Sequence, residues 1–229
     1  MKNIMRNCIL LCGAVLLPSA TSAADKYNAD PFAFIGTVSN CGVAGHSIVS
    51  AGWIRGMGLP DDGTSTIATE KKTDRNTGLL LNKNGPTTDC AAAGAQIKPW
   101  TSGDKINATL GLGFDYRIGT HCGAGAPRFN VTTTDGKLYF VGCSAGTHSP
   151  APQDPQWERV VFTDPAAFFP GNTVTPFSFS MPIKSITIIY DEGTDAPGLN
   201  DPEGVGLVVL DNININGSYI TDGSGEIAD

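Results

Sequence analysis

Residues 105–119 read "KINATLGLGFDYRIG", and apolar side chains alternate there with small or polar ones. Successive side chains of a β-strand point to opposite faces, so a period of two predicts one long, half-buried strand. This stretch therefore predicts a sheet that packs one face against the core and exposes the other face to solvent. The apolar positions are Ile106, Ala108, Leu110, Leu112, Phe114, Tyr116 and Ile118.

Further strand-like runs lie on both sides of this stretch, and Gly, Pro, Asn and Asp clusters separate nearly all of them. Only "DPAAFF" has a helix start, with Asp164 as N-cap and Pro165 at the first helical position. So many strands with so little helix predict an all-β fold, an antiparallel two-sheet β-sandwich of the jelly-roll type. The runs are "FAFIGTV", "HSIVSAGWI", "TGLLLN", "AQIKPW", "RFNVTT", "KLYFVG", "RVVFT", "TPFSFS", "KSITIIY" and "GLVVLDNININ".

The N-terminal residues have the three parts of a secretory signal peptide. Lys2 and Arg6 supply positive charge, residues 8–17 are apolar, and residues 19–24, "SATSAA", are small enough for cleavage. We expect residues 1–23 to be the signal peptide and residues 24–229 to form one β-sandwich domain. The protein is then secreted, to the extracellular space or to a periplasm, and the leader suits a bacterium. No later apolar stretch approaches membrane-spanning length, so no membrane insertion is expected.

The chain is acidic. Its formal charge of −7 becomes −9 when the leader, which contains Lys2 and Arg6 but no acidic residue, is removed. Such a field does not attract polyanions, so we expect no nucleic acid partner and no anionic membrane partner.

Cysteines Cys41, Cys90, Cys122 and Cys143 remain after cleavage. In an oxidising compartment they favour two disulfides, with three possible connectivities. We favour Cys41–Cys90 with Cys122–Cys143 because both pairs are local in sequence. Cys122 beside His121 also raises the alternative of a thiol nucleophile with a base. Neighbouring residues on a strand point to opposite faces, which favours the disulfide.

Asp135 and Gly136 lie between two alternating runs and predict a hairpin with a two-residue turn. This register pairs Val131 with Phe140 on an apolar face. The opposite face of the hairpin would carry Arg128, Asn130, Thr132, Tyr139 and Val141.

The hairpin and the long strand are expected to lie side by side and share a polar face. The planar guanidinium group of Arg and the amide group of Asn can form hydrogen bonds with the hydroxyl groups of a sugar. An aromatic ring can pack on the apolar face of the sugar ring. Each residue also fits a structural role, as an Arg–Asp pair or a core tryptophan. The candidate ligand-binding residues are Asp115, Arg117, Arg128, Asn130, Tyr139 and Trp157.

Ser144 lies in "GCSAG", which matches the G-x-S-x-G pattern of a nucleophile elbow. Three prolines at positions 150, 152 and 155 forbid the helix that must follow this motif. We interpret the match as chance and assign no catalytic residue.

Residues 206–220, "GLVVLDNININGSYI", resemble the closing strand of carbohydrate-binding-module-like jelly rolls, which often end in an apolar run followed by Asp-Asn. The resemblance implies a two-sheet jelly roll, often with a structural calcium ion.

Residues 190–204, "YDEGTDAPGLNDPEG", concentrate carboxylates without a Lys or Arg. Hard oxygen ligands suit Ca²⁺, and glycines let the chain curl around an ion. The alternative is a solvated acidic loop. The candidate calcium ligands are Asp191, Glu192, Asp195 and Asp201, with Asp211 added beyond the next apolar run.

Together these features favour a binding protein over an enzyme, with a glycan or another cell-surface ligand as its partner. A first alternative is a secreted polysaccharide hydrolase with Asp115 as its acid. A second is a structural or adhesive surface protein with no small-molecule site.

Overall fold

The computed structural model describes residues 26–59, 76–199, 201 and 204–223. The expected signal peptide and residues 60–75 lie outside these residues. Within them, thirteen strands, one helical turn α1 (Val38–Cys41) and two 3₁₀ turns occur. The strands are β1 (Asn28–Ile35), β2 (Ile48–Ile54), β3 (Gly78–Asn84), β4 (Ala91–Lys98), β5 (Leu112–Arg117), β6 (Arg128–Thr133), β7 (Leu138–Gly142), β8 (Thr147–Pro150), β9 (Trp157–Phe162), β10 (Phe169–Pro170), β11 (Ile183–Tyr190), β12 (Leu207–Ile215) and β13 (Ser218–Ile220).

The strands form two antiparallel sheets, which confirms the predicted β-sandwich. The six-stranded sheet has the order β1-β4-β11-β6-β7-β10. The seven-stranded sheet has the order β2-β3-β12-β5-β9-β8, and β13 also pairs with β12. Consecutive strands cross between the sheets several times, as in a jelly roll.

The core lies between the two sheets and contains large aromatic side chains from both. Phe129 of the six-stranded sheet lies 5.7 Å from Phe114 and 5.9 Å from Phe162, both of the seven-stranded sheet, measured between ring centroids. All three side chains are buried. Each fully buried ring stabilises the fold by about 1.5–3 kcal/mol, so contacts of this kind hold the two layers together.

The predicted long strand is shorter than its alternating pattern indicates. Strand β5 begins at Leu112, and the residues before it form a turn. The side chain of Asn107 accepts hydrogen bonds from the backbone N–H groups of Thr109 and Leu110, and Gly111 has a φ of +57°. An Asx-type turn therefore replaces the first half of the predicted strand.

The hairpin forms, but its predicted register is wrong by one residue. Val131 lies opposite Tyr139, not Phe140. Thr133 N–H bonds to the Lys137 carbonyl at 2.9 Å, and Gly136 has a φ of +83°, which is a three-residue loop with a left-handed glycine. A shift of one residue reverses the faces of β7.

Other local predictions have mixed outcomes. The run "TPFSFS" forms no strand, and β8, β10 and β13 were not predicted. The "DPAAFF" segment does start helically: Asp164 caps a 3₁₀ turn, Pro165–Ala167, by accepting a hydrogen bond from the Ala166 N–H at 2.9 Å.

Within the described residues, no helix is long and apolar enough to cross a membrane.

Both predicted disulfides are confirmed, as Cys41–Cys90 and Cys122–Cys143. The second requires the chain between Cys122 and β6 to fold back on itself. Gly123 N–H bonds to the Ala126 carbonyl at 2.7 Å, which closes this turn. Cys122 therefore has no free thiol, and the nucleophile alternative is wrong.

Candidate functional site

The predicted shared polar face is divided between the two sheets. Asp115 and Arg117 lie on β5 of the seven-stranded sheet, whereas Arg128, Asn130 and Tyr139 lie on the hairpin in the six-stranded sheet. Strand β5 pairs with β12 and β9, so it does not lie beside the hairpin. The sequence pattern identified the strands but not their neighbours.

Asp115 is a buried structural anion. Its carboxylate accepts hydrogen bonds from Arg159 Nε and Nη2, both at 2.7 Å, and from Asn212 Nδ2 at 2.9 Å. Its side chain has no solvent exposure. Arg117 is exposed, and its Nη2 lies 3.4 Å from Gln156 Oε1. These two residues therefore do not form one binding surface.

Tyr139 and Trp157 belong to the core, which corrects their assignment as ligand-binding residues. Both side chains are fully buried. Tyr139 donates a hydrogen bond to the Thr175 carbonyl at 3.1 Å, and burial raises its pKa. Trp157 packs with Leu59 and Val209 in a second apolar cluster.

Two of the predicted residues, Arg128 and Asn130, do lie on a solvent-facing surface. Residues directly opposite each other in an antiparallel sheet share one face. Pairing across the six-stranded sheet therefore aligns one residue from each strand, a set we call the outer row. The outer row consists of Asp30, Gln96, Thr187, Asn130, Phe140 and Phe169.

The outer row is polar at its centre and aromatic at one end. Gln96 Nε2 donates to the Ile186 carbonyl at 2.8 Å, and Thr187 Oγ1 donates to Gln96 Oε1 at 3.1 Å. Asn130 Oδ1 accepts from Arg128 Nε at 2.9 Å, which leaves its amide nitrogen as a donor. Phe169 is 55% exposed. Strands are about 4.8 Å apart, so the row is about 24 Å long.

A groove of about 440 Å³ lies at the aromatic end of the outer row. The central carbon of the Arg128 guanidinium lies over the Phe140 ring, 5.1 Å from the ring centroid. Gly171 makes this arrangement possible because a Cβ there would lie 2.6 Å from the Phe140 ring. The groove is lined by Ala124, Gly125, Arg128, Phe140 and Phe169.

Arg128 is held in place by side chains and backbone on three sides. Its Nη1 and Nη2 atoms donate to the two carboxylate oxygens of Asp191 at 2.5 and 2.7 Å. Nη1 also donates to the Gly125 carbonyl at 2.7 Å. The groove is therefore lined by a cation that these hydrogen bonds hold over an aromatic ring.

The alternation in the sequence predicts the wrong face of β7 for this surface. The one-residue register error put Phe140 in the core and Tyr139 outside. Phe169 belongs to the segment "DPAAFF", for which the sequence predicts a short helix, and the Gln96–Thr187 pair depends on which strands are neighbours.

The predicted calcium ligands bind protein groups rather than one another. Glu192 and Asp201 lie on opposite sides of the His121 ring, with Glu192 Oε2 2.6 Å from Nε2 and Asp201 Oδ2 2.8 Å from Nδ1. Asp191 pairs with Arg128. Two basic side chains, Arg128 and His121, therefore pair with three carboxylates of the acidic loop.

The other two predicted ligands lie apart from these. Asp195 Oδ1 accepts from both the backbone N–H and the Oγ1 of Thr87, each at 2.7 Å. Asp211 is buried on β12, where its Oδ2 accepts from the Leu59 N–H at 2.7 Å. Within the described residues, no group of three or more His, Cys, Asp or Glu side chains is arranged to hold a metal ion. As placed, the five residues do not converge on one ion.

The "GCSAG" motif lies at the end of β7, and His148 comes four residues after Ser144. His148 Nε2 lies 3.0 Å from the Cys143 carbonyl oxygen, so this nitrogen donates and cannot serve as a base for Ser144. Its Nδ1 lies 3.1 Å from Glu158. Residues Thr147–Pro150 form β8 rather than the helix that a nucleophile elbow requires.

No protein-family model matches the chain, and no curated protein matches it. The structure is similar to a family 11 carbohydrate-binding module from Clostridium thermocellum, solved in complex with a beta-1,3-1,4-mixed-linked tetrasaccharide. The identity is 14%, the TM-score is 0.41, and the match covers 87% of this chain and 99% of the other. A second match is the family 11 module of the cellulosomal cellulase Lic26A-Cel5E of Clostridium thermocellum, with 14% identity, a TM-score of 0.40, and coverage of 89% and 98%.

Proposed function

We propose that this chain is a secreted, non-catalytic protein that binds a glycan on the outer row of its six-stranded sheet. The observation that carries the proposal is the alignment of an exposed phenylalanine, a groove and three polar side chains across adjacent strands.

The aromatic end of the row supplies the apolar contact that a sugar ring needs. Phe169 lies opposite Phe140 and is more than half exposed. A groove of about 440 Å³ is within the usual range for small-molecule sites. A pyranose unit can therefore pack its apolar face on Phe169 while its edge enters the groove.

The polar part of the row supplies directional contacts for the sugars that follow. Asn130, Thr187 and Gln96 stand on three neighbouring strands, one strand spacing of about 4.8 Å apart. Their amide and hydroxyl groups both donate and accept, as sugar hydroxyls do. A chain that crosses the strands meets a new polar side chain at each step.

Two structural features favour binding over hydrolysis. Asp115, the candidate acid, is buried and holds a bidentate pair with Arg159. Its two oxygens are bonded to Arg159 and Asn212 and have no solvent exposure, so they cannot reach the leaving group of a bound substrate. The second feature is the pairing of Asp30, which is the carboxylate of the outer row. Its Oδ2 lies 3.2 Å from the Nζ of Lys98.

The groove favours a binding protein over a scaffold with no small-molecule site. An exposed aromatic side chain beside a formed groove and fixed polar groups is the arrangement expected of a ligand site.

The test is a glycan array probed with the mature chain, followed by affinity electrophoresis in gels that contain each polysaccharide detected. We expect retention by at least one glycan and no release of reducing ends during prolonged incubation. Absence of retention by every glycan would refute the binding proposal, and steady release of reducing ends would refute its non-catalytic part.

A further inference from the structure

The hydrogen-bond donors of Arg128 are nearly all used inside the protein. A guanidinium has five N–H donors. Nε donates to Asn130, Nη1 to Gly125 and Asp191, and Nη2 to Asp191. Asp191 alone takes two of these donors and supplies the neutralising charge. Arg128 is the charged residue among the five that line the groove, so its pairing decides the charge that a ligand meets there.

Asp191 does not depend on Arg128 for its position. Lys83, which is fully buried, donates from Nζ to the Asp191 carbonyl at 2.7 Å. The same ammonium group donates to the carbonyls of Thr87 and Asp89 at 3.0 and 2.8 Å. The next residue, Glu192, is held by His121. The backbone therefore presents the Asp191 carboxylate to Arg128 from a fixed position.

We propose that Asp191 determines the charge specificity of the groove: it occupies Arg128 and thereby restricts the site to uncharged sugars. This inference rests on the proposed glycan-binding function. Without the carboxylate, Arg128 keeps its contacts with Asn130 and Gly125, loses the neutralising charge and regains at least one of the two donors that Asp191 takes. A free guanidinium binds carboxylates in a bidentate manner. The substitution Asp191→Asn should therefore admit sugars that carry a carboxylate.

The test compares two forms of one polysaccharide, homogalacturonan that is fully methyl-esterified and the same polymer after de-esterification. Affinity electrophoresis in the presence of EDTA measures retention of the mature chain by each form. We expect the wild-type chain to show no retention by the de-esterified polymer. Asp191→Asn should be retained by it, because one charge-assisted contact raises affinity about tenfold or more. Added salt should abolish that gain.

Two control variants separate Arg128 from a general change in charge. Asp195→Asn removes the same charge from the same loop, but Asp195 contacts Thr87 and does not line the groove. It should gain nothing. The double variant Arg128→Gln with Asp191→Asn should lose the gain. Equal retention of the Asp191→Asn and Asp195→Asn variants would overturn the inference.

The outcomes also separate this inference from the proposed function. A wild-type chain that binds no glycan refutes the function. A wild-type chain that binds a neutral glycan, with a folded Asp191→Asn variant that gains no anionic ligand, refutes only the role of Asp191. Retention of the wild-type chain by the de-esterified polymer refutes that role as well. If Asp191→Asn does not melt like the wild type, Asp191→Ser replaces it with the same criteria.

Discussion

Phe169 lies directly opposite Phe140 in the β7–β10 pair, yet Phe169 is 55% exposed while Phe140 lies beneath the Arg128 guanidinium. The two rings have different roles in consequence. Phe140 lies against the cation that lines the groove, and Phe169 offers an aromatic surface to solvent.

Asp115 should matter for stability and not for activity. Removing one partner of a buried ion pair costs about 3–5 kcal/mol, because the other charge is left without its partner. We expect Asp115→Ala to lower the free energy of urea unfolding by that amount. Glycan retention of the folded fraction should stay unchanged. A variant of unchanged stability that loses a hydrolytic activity would instead support the hydrolase alternative.

The mature chain should contain no free thiol. Its disulfides span 49 and 21 residues of sequence. In the chain-entropy model, loops of this length each stabilise by about 3–4 kcal/mol. We expect thiol titration of unfolded, unreduced protein to detect no sulfhydryl, and reduction to lower the unfolding free energy by several kcal/mol. Two or more reactive sulfhydryls per chain would contradict the pairing.

Stability should fall as the pH rises above neutrality. Burial lowers the pKa of His121, but hydrogen bonds to Glu192 and Asp201 outweigh it, and the net pKa is above the ordinary 6.5. A group whose pKa is higher in the folded state contributes its full stabilisation at pH values below its unfolded-state pKa. This contribution is lost as the pH rises through the folded-state pKa. Urea unfolding from about pH 6 to about pH 9 should show this loss, and His121→Gln should flatten it. A wild-type profile that rises over this range would be inconsistent with a charged His121.

The calcium site stays a prediction of the sequence. If Ca²⁺ binds only the folded state, a hundredfold excess over the Kd stabilises by about 2.7 kcal/mol. A melting scan with calcium against chelator, at constant ionic strength, measures this. A higher Tm with calcium would support a site that the protein partners of Asp191, Glu192 and Asp201 leave open. Equal melting temperatures would leave these carboxylates as partners of Arg128 and His121.

Most of the strands and both disulfides can be predicted from the sequence, whereas β8, β10 and β13 cannot. Alternation identified β5 and the hairpin, and short sequence separation favoured the correct cysteine pairs. The turn chemistry was read correctly at Asp164. It was missed at Asn107, whose side chain ends an alternating run that would otherwise continue as a strand.

The site could not be derived in the same way because it depends on register and on strand neighbours. The alternating sequence pattern of the strands fits a hairpin with a two-residue loop and one with a three-residue loop equally well. These two hairpins place Phe140 on opposite faces of the sheet. Nothing in the sequence pairs Arg128 with Asp191 or His121 with Glu192. These contacts cross 63 and 71 residues and exist only after the sandwich forms.

The most direct test of the outer row as a glycan site is the affinity of the Phe169→Ala variant for a polysaccharide that retains the wild-type chain. Phe34→Ala is the matched control, since Phe34 is 40% exposed on β1 at the opposite edge of the same sheet. Titration calorimetry should show about tenfold weaker binding for Phe169→Ala, equivalent to ~1.4 kcal/mol, with unchanged Tm. Phe34→Ala should bind like the wild type. Full affinity in the Phe169→Ala variant, or an equal loss in both variants, would contradict the proposed site.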